Sequence, residues 1–421
     1  EDLAVAVTGG LKLELRAVPL VPPGDTRFVR VLWHPLSDAH LGVLLSNGTW
    51  QLLNLSHRAA VADPEVLLNV TFGGSECEPG ESVVDFAFGS PWLQGGGGPT
   101  CSEAAWLALV VIFLSTHGQL SIFGPVLPSI AVFPKAVLGA LRSGGEGPNR
   151  EAVAGSCGLA AAEWLRKTLL CSANRQDVTL PGAAPGAYVS VRHNLHMHGD
   201  AKAYHQQWRP LEQVPKEEYA ECEESAKPPR HHRSGYCSVQ LVAHSPVAVV
   251  ARAMDSGLVE VLILSGPLGP GFDDRRAVPG ARASSRPGEP LTCAVFEEVD
   301  LVLRQTRAPC VRLAPMPLQE DCEGGPWLLA RSRAVVAAIE LVWVGVLLRG
   351  LDAPLSGRLP SSVITTLVEV RAADGPCEIA GWQLLAKGLA PALPLAQPGA
   401  SPAACAGLWL RIRAGGSAAA A

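Results

Sequence analysis

The sequence predicts an all-β protein, a β-propeller of six to seven blades. Three observations lead there. Apolar strand pairs recur around small polar turns that end in glycine: Leu3–Val7 with Leu11–Leu15 across Gly10, Leu41–Leu45 with Trp50–Leu55 across Gly48, Leu107–Leu114 with Gln119–Phe123 across Gly118, and Val247–Ala253 with Leu258–Leu264 across Gly257. Gly48 follows Gly10 by 38 residues, close to the roughly 40 residues of a four-stranded blade. The 43 glycines and 35 prolines beside only 17% charged residues suit many short strands joined by turns. Two stacked sandwiches, the rival all-β architecture, would lack this shared hairpin signature.

Taken in order, the clearest blade runs from Phe28 to Ser56. Phe28–Trp33 reads as a strand halted by His34-Pro35, because proline removes a ladder donor. Ser37-Asp38 supplies turn chemistry before His40 opens the next strand. Asn47-Gly48 then tolerates the positive φ that a tight hairpin needs. Further strands are expected over Glu65–Phe72, Ser82–Phe88, Ala187–Arg192, Ser238–His244, Leu291–Leu303 and Ser362–Val370. The later glycine spacings of 70 and 139 residues imply insertions. One, 130–174, turns helical, with candidate helices at Ala136–Leu141 and Glu151–Cys171. The other, 199–235, carries Glu217, Glu218, Glu221, Glu223 and Glu224, then Lys227, Arg230, His231, His232 and Arg233, and reads as a charged solvated loop. The propeller is assigned to 1–389. Residues 390–421 form an Ala/Pro/Gly-rich tail, with one closing strand at 408–413.

Composition narrows the function classes. A net charge of -5 gives no global attraction to nucleic acid or acidic membranes. The apolar run Ala104–Leu114 falls short of the roughly twenty residues a spanning helix requires. Ala334–Leu348 is interrupted by Glu340, and both runs read as buried strands. Eleven cysteines without a CxxC pair give no disulfide framework, which favours a reducing compartment. Sequons at Asn47, Asn54 and Asn69 are read as inert in that setting. The chain opens on Glu1 and strand-like sequence begins at once, the pattern expected of a fragment or of a gene model missing its start.

Chemistry is thin. His34, Asp38 and His40 have metal-ligand residue types, but their places in a blade turn favour a structural role. His193, His196, His198 and His205, with Cys222 and Cys237, lack the tight paired spacing of a zinc site. Gly95–Gly98 is not followed by Lys-Ser/Thr, so no phosphate loop is present, and Gly74-Ser75 lacks the flanks of a nucleophile elbow. Asp85, Glu297, Glu298 and Asp300 lie near strands, yet the sequence pairs none of them across a site. Trp33, Trp50 and Trp106 sit inside apolar segments and read as core. No catalytic, cofactor or metal residue is assigned, partner-binding residues are not fixed, and the chain reads as a non-enzyme. A propeller enzyme, the alternative, needs a carboxylate or histidine cluster at the central channel.

The order of several motifs resembles the nucleoporin 88 family, especially its green-lineage members. Trp33-His34-Pro35 leads into the Asn47-Gly48 hairpin, Phe86-Ala87-Phe88-Gly89 follows, and a strand–turn–strand then ends in Gly124-Pro125. More loosely, Ala160–Leu165 is similar to that family's "SWLE" helix and Glu297–Leu301 to its "ECVDL" strand. The likeness is strong over 28–128 and patchy after 265.

The resemblance implies an architectural protein of the nuclear pore complex, on the cytoplasmic face of the nuclear envelope. Its expected partners are a phenylalanine–glycine-repeat filament nucleoporin and the autoproteolytic domain of a GLFG-repeat nucleoporin. Support of mRNA export and exportin-dependent transport follows, with exportin reached indirectly and no direct nucleic-acid contact or membrane insertion. The family carries further propeller sequence before the equivalent of Glu1 and a long C-terminal coiled coil. This chain is therefore expected to hold an incomplete first blade and to lack that anchorage. Another propeller scaffold, of WD-repeat or coat type, is the alternative.

Overall fold

A computed structural model describes residues 7–8, 11–12, 22, 24–56, 64–70, 72, 81–89, 105–146, 164–165, 167–179, 185–193, 209–210, 212–213, 235–243, 248–265, 292–301, 312–316, 327–331, 335–341, 343–344 and 363–369. They are mostly strands. Val7–Thr8 (β1) pairs with Leu11–Lys12 (β2) as a small hairpin. The first full blade is an antiparallel meander of Phe28–Trp33 (β3), His40–Leu45 (β4), Thr49–Asn54 (β5) and Val66–Asn69 (β6). The second contains Val83–Phe88 (β7), Val111–Ser115 (β8) and Leu120–Phe123 (β9). A three-stranded sheet follows, Ile130–Pro134 (β10), Arg175–Val178 (β11) and Tyr188–Arg192 (β12), with the helix Lys135–Glu146 (α1) between its first two strands. Arg209–Pro210 (β13) and Glu212–Gln213 (β14) are short. The third full blade is Tyr236–Ala243 (β15), Ala248–Met254 (β16), Leu258–Ser265 (β17) and Thr292–Asp300 (β18). The fourth is Arg312–Met316 (β19), Trp327–Arg331 (β20), Val335–Glu340 (β21) and Val363–Glu369 (β22). This is the propeller architecture that the sequence predicts.

The hairpin repeat has one backbone geometry. Gly48, Gly118 and Gly257 take φ of 81°, 88° and 95°. Their amides donate to the carbonyls of Leu45, Ser115 and Met254 at 3.0, 3.0 and 3.1 Å. Each turn thus closes over three residues and hands the chain to a glycine in the left-handed region, where a side chain is strained. Gly48 has open space, its would-be Cβ meeting only the Val70 carbonyl at 3.6 Å, whereas a Cβ on Gly118 would stand 2.3 Å from the Tyr236 ring. Gly48→Ala is therefore expected to cost about 1–2 kcal/mol from backbone strain alone. Gly118→Ala should add a further 1–3 kcal/mol or so from overpacking. Urea unfolding of the two variants reads the difference, and equal losses would contradict it.

The second and third full blades are buried on both faces, which is why their inner strands read as long apolar runs. In the first blade Leu44, Trp50 and Leu52 face the second, against Phe86, Phe88, Val111, Phe113 and Phe123. Leu41, Val43, Leu45 and Leu53 occupy its opposite face. The period-2 pleat sends the alternate residues of the second blade, Ala87, Ile112, Leu114, Leu120 and Ile122, against Val239, Leu241, Val250 and Leu262 of the third. The third blade's other face, with Val249, Ala251, Val259 and Val261, packs on Leu313, Leu328, Ala330 and Ile339 of the fourth. A bulge serves this two-sided packing. Val261 pairs with Glu297 and Leu262 with Val295, so Phe296 is an extra residue in β18. The odd-numbered Cys293 and Val295 then face the second blade, while Val299 faces the fourth.

Trp50 is fully buried and meets the rings of Phe86, Phe88 and Phe113 edge-on at 5.9, 6.0 and 5.8 Å. Edge-to-face pairs of this kind contribute about 0.5–1.5 kcal/mol each beyond area burial. The first strands of the blades adjoin one another: β3 lies against β7, β7 against β15, and β15 against β19.

Three expectations need correction. Leu107–Leu109 is a 3-10 helix, and the strand expected from Leu107 begins at Val111. The apolar run is buried on all sides, with Trp106 and Leu109 entering one core and Leu107 and Val110 another, so periodicity does not discriminate. The 130–174 insertion is helical at α1, which contains the expected Ala136–Leu141, but it opens on the strand β10. Its helix α1 inserts Val137, Leu138 and Leu141 beside Phe133, Trp164, Leu165 and Leu169, while residues 147–163 lie outside the described set. The charged 199–235 stretch is not loop throughout: β13 pairs antiparallel with β9 and β14 pairs parallel with β18. Four residues thus cover the outer edges of two blades, which blunts edge-to-edge pairing with other chains. The strand expected at 408–413 lies outside the described residues.

Candidate functional site

Two buried polar clusters hold the side chains singled out from sequence. The first joins the first blade to the three-stranded sheet. Glu65 Oε1 accepts from His40 Nε2 at 3.0 Å and from Asn54 Nδ2 at 2.9 Å, and the Ser129 hydroxyl donates to the same oxygen. Ser129 N–H donates to Glu65 Oε2 at 3.0 Å. His40 Nδ1 lies 2.7 Å from Ser37 Oγ. This Ser–His–Glu order imitates a hydrolase relay, but His40 is fully buried and Ser37 is 6% exposed, so no substrate reaches the hydroxyl.

The two neighbouring imidazoles each make a hydrogen bond to the backbone. His34 Nδ1 accepts from the Leu36 amide at 3.2 Å and its ring packs 4.5 Å from Phe88. His193 Nε2 donates to the Pro128 carbonyl at 2.9 Å. Asp38 is exposed and outside the cluster. His34 and Asp38 lie in the turn and His40 opens β4, and among the described residues no group of three or more His, Cys, Asp or Glu is placed to hold a metal. Cys237 donates to the Ala253 carbonyl at 3.4 Å. His196, His198, His205 and Cys222 lie outside the described residues, as do Gly74-Ser75 and Gly95–Gly98. Asn54, one of the sequons, is 5% exposed and spends its amide on Glu65 and Ser129.

The cluster is a pH liability. Burial pushes the Glu65 carboxyl up, but hydrogen bonds from His40 and Ser129 outweigh it and hold the group down to about 2. Burial lowers His193 to about 4, and His34 well below its usual value. Each of these groups binds its proton less readily folded than unfolded. The histidines therefore withdraw stability as pH falls from 6.5 towards 4, and Glu65 from 4.5 towards 2. Urea midpoints are expected to fall monotonically from pH 7 to pH 4, with His193→Gln flattening the upper part of that slope. An unchanged slope in that variant would contradict this assignment.

The second cluster lies where the first strands of four blades meet. Asp85, on β7, is fully buried. Its Oδ2 accepts from Ser238 Oγ at 2.8 Å and from the Val239 amide at 2.9 Å, both on β15. Its Oδ1 faces Arg30 Nε of β3 at 3.2 Å and Arg312 Nη1 of β19 at 3.4 Å. Arg312 Nη1 also donates to the Cys237 carbonyl at 2.9 Å, and the Leu313 amide donates to Ser238 Oγ at 3.1 Å. One carboxylate thereby ties all four full blades. Sequence reading singled out Asp85 but not Arg30, Ser238 or Arg312. The available signal was a charged residue inside the apolar run Val83–Phe88, which demands buried partners. Of the other acidic residues, Glu297 accepts from Trp343 Nε1 at 2.8 Å.

Neither cluster offers an accessible nucleophile or an open metal position, and the geometry is that of a rigid mount. No family model matches the chain. Over 108 residues it is 32% identical to the nuclear pore complex protein NUP88 of Arabidopsis thaliana, a stretch of 24% of this chain and 11% of that protein. This chain therefore corresponds to a small part of that relative's length. In fold it is similar to the N-terminal domain of Nup82 in the crystal structure of the Chaetomium thermophilum heterotrimeric Nup82 NTD–Nup159 TAIL–Nup145N APD complex. The TM-score is 0.52 at 13% identity, over 81% of this chain and 67% of that one. The yeast heterotrimeric Nup82–Nup159–Nup116 complex gives 0.49 at 14% identity, over 82% and 68%.

Proposed function

We propose, on the premise that the chain is a nucleoporin 88-family propeller, that it is a scaffold of the nuclear pore complex that docks other nucleoporins. The sequence likeness to the Arabidopsis nuclear pore protein carries this reading, and the propeller fold supports it. The physical fit is direct. A disc of sheets packed face to face, tied at its axis by Asp85, keeps its loops and outer strands in fixed positions for partners. The chain acts by binding and not by catalysis.

The finer reading places it on the cytoplasmic face, in support of mRNA export and exportin-dependent transport. Its partners there are a tail segment of a filament nucleoporin and the autoproteolytic domain of a GLFG-repeat nucleoporin, the kinds of component assembled with Nup82 in the related complex. Affinity purification of the tagged chain from its own cells tests this. Co-enrichment of a filament nucleoporin and an autoproteolytic-domain nucleoporin is the expected result. Recovery of vesicle-coat subunits without any nucleoporin would overturn it.

A further inference from the structure

We propose that the axial arginine pair, Arg30 and Arg312, forms a binding site for an oxyanion. Two guanidinium groups converge on the single carboxylate of Asp85, whose second oxygen is already filled by the Ser238 hydroxyl and the Val239 amide. Arg30 Nε and Asp85 Oδ1, although 3.2 Å apart, are not aligned as a hydrogen bond, and neither atom has another hydrogen-bond partner. A guanidinium carries five N–H donors. Of the ten on these two residues, the described residues accept only from Arg312 Nη1, through the Cys237 carbonyl.

The cluster therefore holds two cations, one anion and a set of unused donors. Its arginines are reachable from solvent, with side chains 18% and 33% exposed, while the carboxylate they share is fully buried. Planar guanidinium forks present paired donors that match the oxygens of a carboxylate or phosphate, and an anion between them neutralises the excess charge. The ligand class is a compact oxyanion, supplied either as a free phosphate-like ion or as the carboxylate of an acidic segment. The site comes from the meeting of β3, β7 and β19 and does not depend on which protein the propeller docks.

The test is thermal unfolding of the full chain in sodium phosphate against sodium chloride at matched ionic strength and pH 7, with a glutamate-rich peptide as a second arm. The expected result is a saturable rise in Tm of about 2 °C or more with at least one of the two probes. Phosphate alone assigns a free ion, and the peptide alone assigns an acidic segment. Arg30→Gln and Arg312→Gln each leave one arginine opposite Asp85, so both retain a balanced pair and are expected to fold and to lose the response. Arg312→Lys keeps the charge but loses the fork, and is expected to bind about tenfold more weakly by titration calorimetry. Identical melting of the wild type in every salt and peptide condition, or a response that persists in both glutamine variants, would overturn the proposal.

Discussion

Asp85→Ala is expected to lower the unfolding free energy by about 3–5 kcal/mol, because removing one partner of a buried ion pair strands the other. Here it strands two arginines, and it also leaves the Ser238 hydroxyl and Val239 amide without their acceptor. Asp85→Asn restores an acceptor for those two donors but not the charge, so it should recover only part of the loss. Because Asp85 touches the first strands of the first, third and fourth full blades, the alanine variant should also lose cooperativity. Tryptophan fluorescence and far-UV circular dichroism are then expected to report separate urea midpoints. A loss below about 1 kcal/mol, the range of an exposed salt bridge, would contradict the hub.

Arg252→Met is expected to cost a similar 3–5 kcal/mol or so. Arg252 is 2% exposed and lies between the second and third full blades. Its Nε donates to Glu260 Oε2 at 2.5 Å, its Nη1 donates to the Gly118 carbonyl in the second blade's hairpin turn, and its guanidinium sits 4.5 Å over the Tyr236 ring. Methionine preserves much of the volume but leaves Glu260, 7% exposed, as an uncompensated charge. Adding Glu260→Gln removes that charge and still accepts the 2.9 Å hydrogen bond from the Tyr236 hydroxyl. The double variant should therefore be more stable than Arg252→Met alone, and urea unfolding of the two singles and the double closes the cycle. Additive losses would contradict the pairing.

Local signals made the blades legible. Asn47-Gly48, His117-Gly118 and Ser256-Gly257 mark three turns whose glycines all take the same left-handed backbone. Doubly buried strands such as β8, with Val111 and Phe113 on one face and Ile112 and Leu114 on the other, carry the unbroken apolar runs expected of central sheet positions. Less legible were elements whose identity is decided by distant packing. The run Ala105–Leu114 contains a helical turn and a strand of the same hydrophobicity, and only the two cores it enters tell them apart. Glu212–Gln213 has no strand signal at all, since its pairing depends on the free edge that β18 offers. The axial cluster was half visible. Asp85 announces a buried charge, but Arg30, Ser238 and Arg312 sit 55, 153 and 227 residues away and meet it only when the blades close round. A Ser–His–Glu sequence logic exists at Ser37, His40 and Glu65 too, yet burial turns it into a joint between sheets.

All of this describes a stiff disc whose buried polar clusters hold blades together, and the proposed function leaves its loops and outer strands for other nucleoporins. Live-cell fluorescence of the tagged chain tests that claim most directly. The account predicts a punctate ring at the nuclear rim that coincides with a nuclear pore marker and fades in the Asp85→Ala variant. Diffuse cytosolic fluorescence, or a secretory pattern, from the well-folded wild-type chain would contradict it.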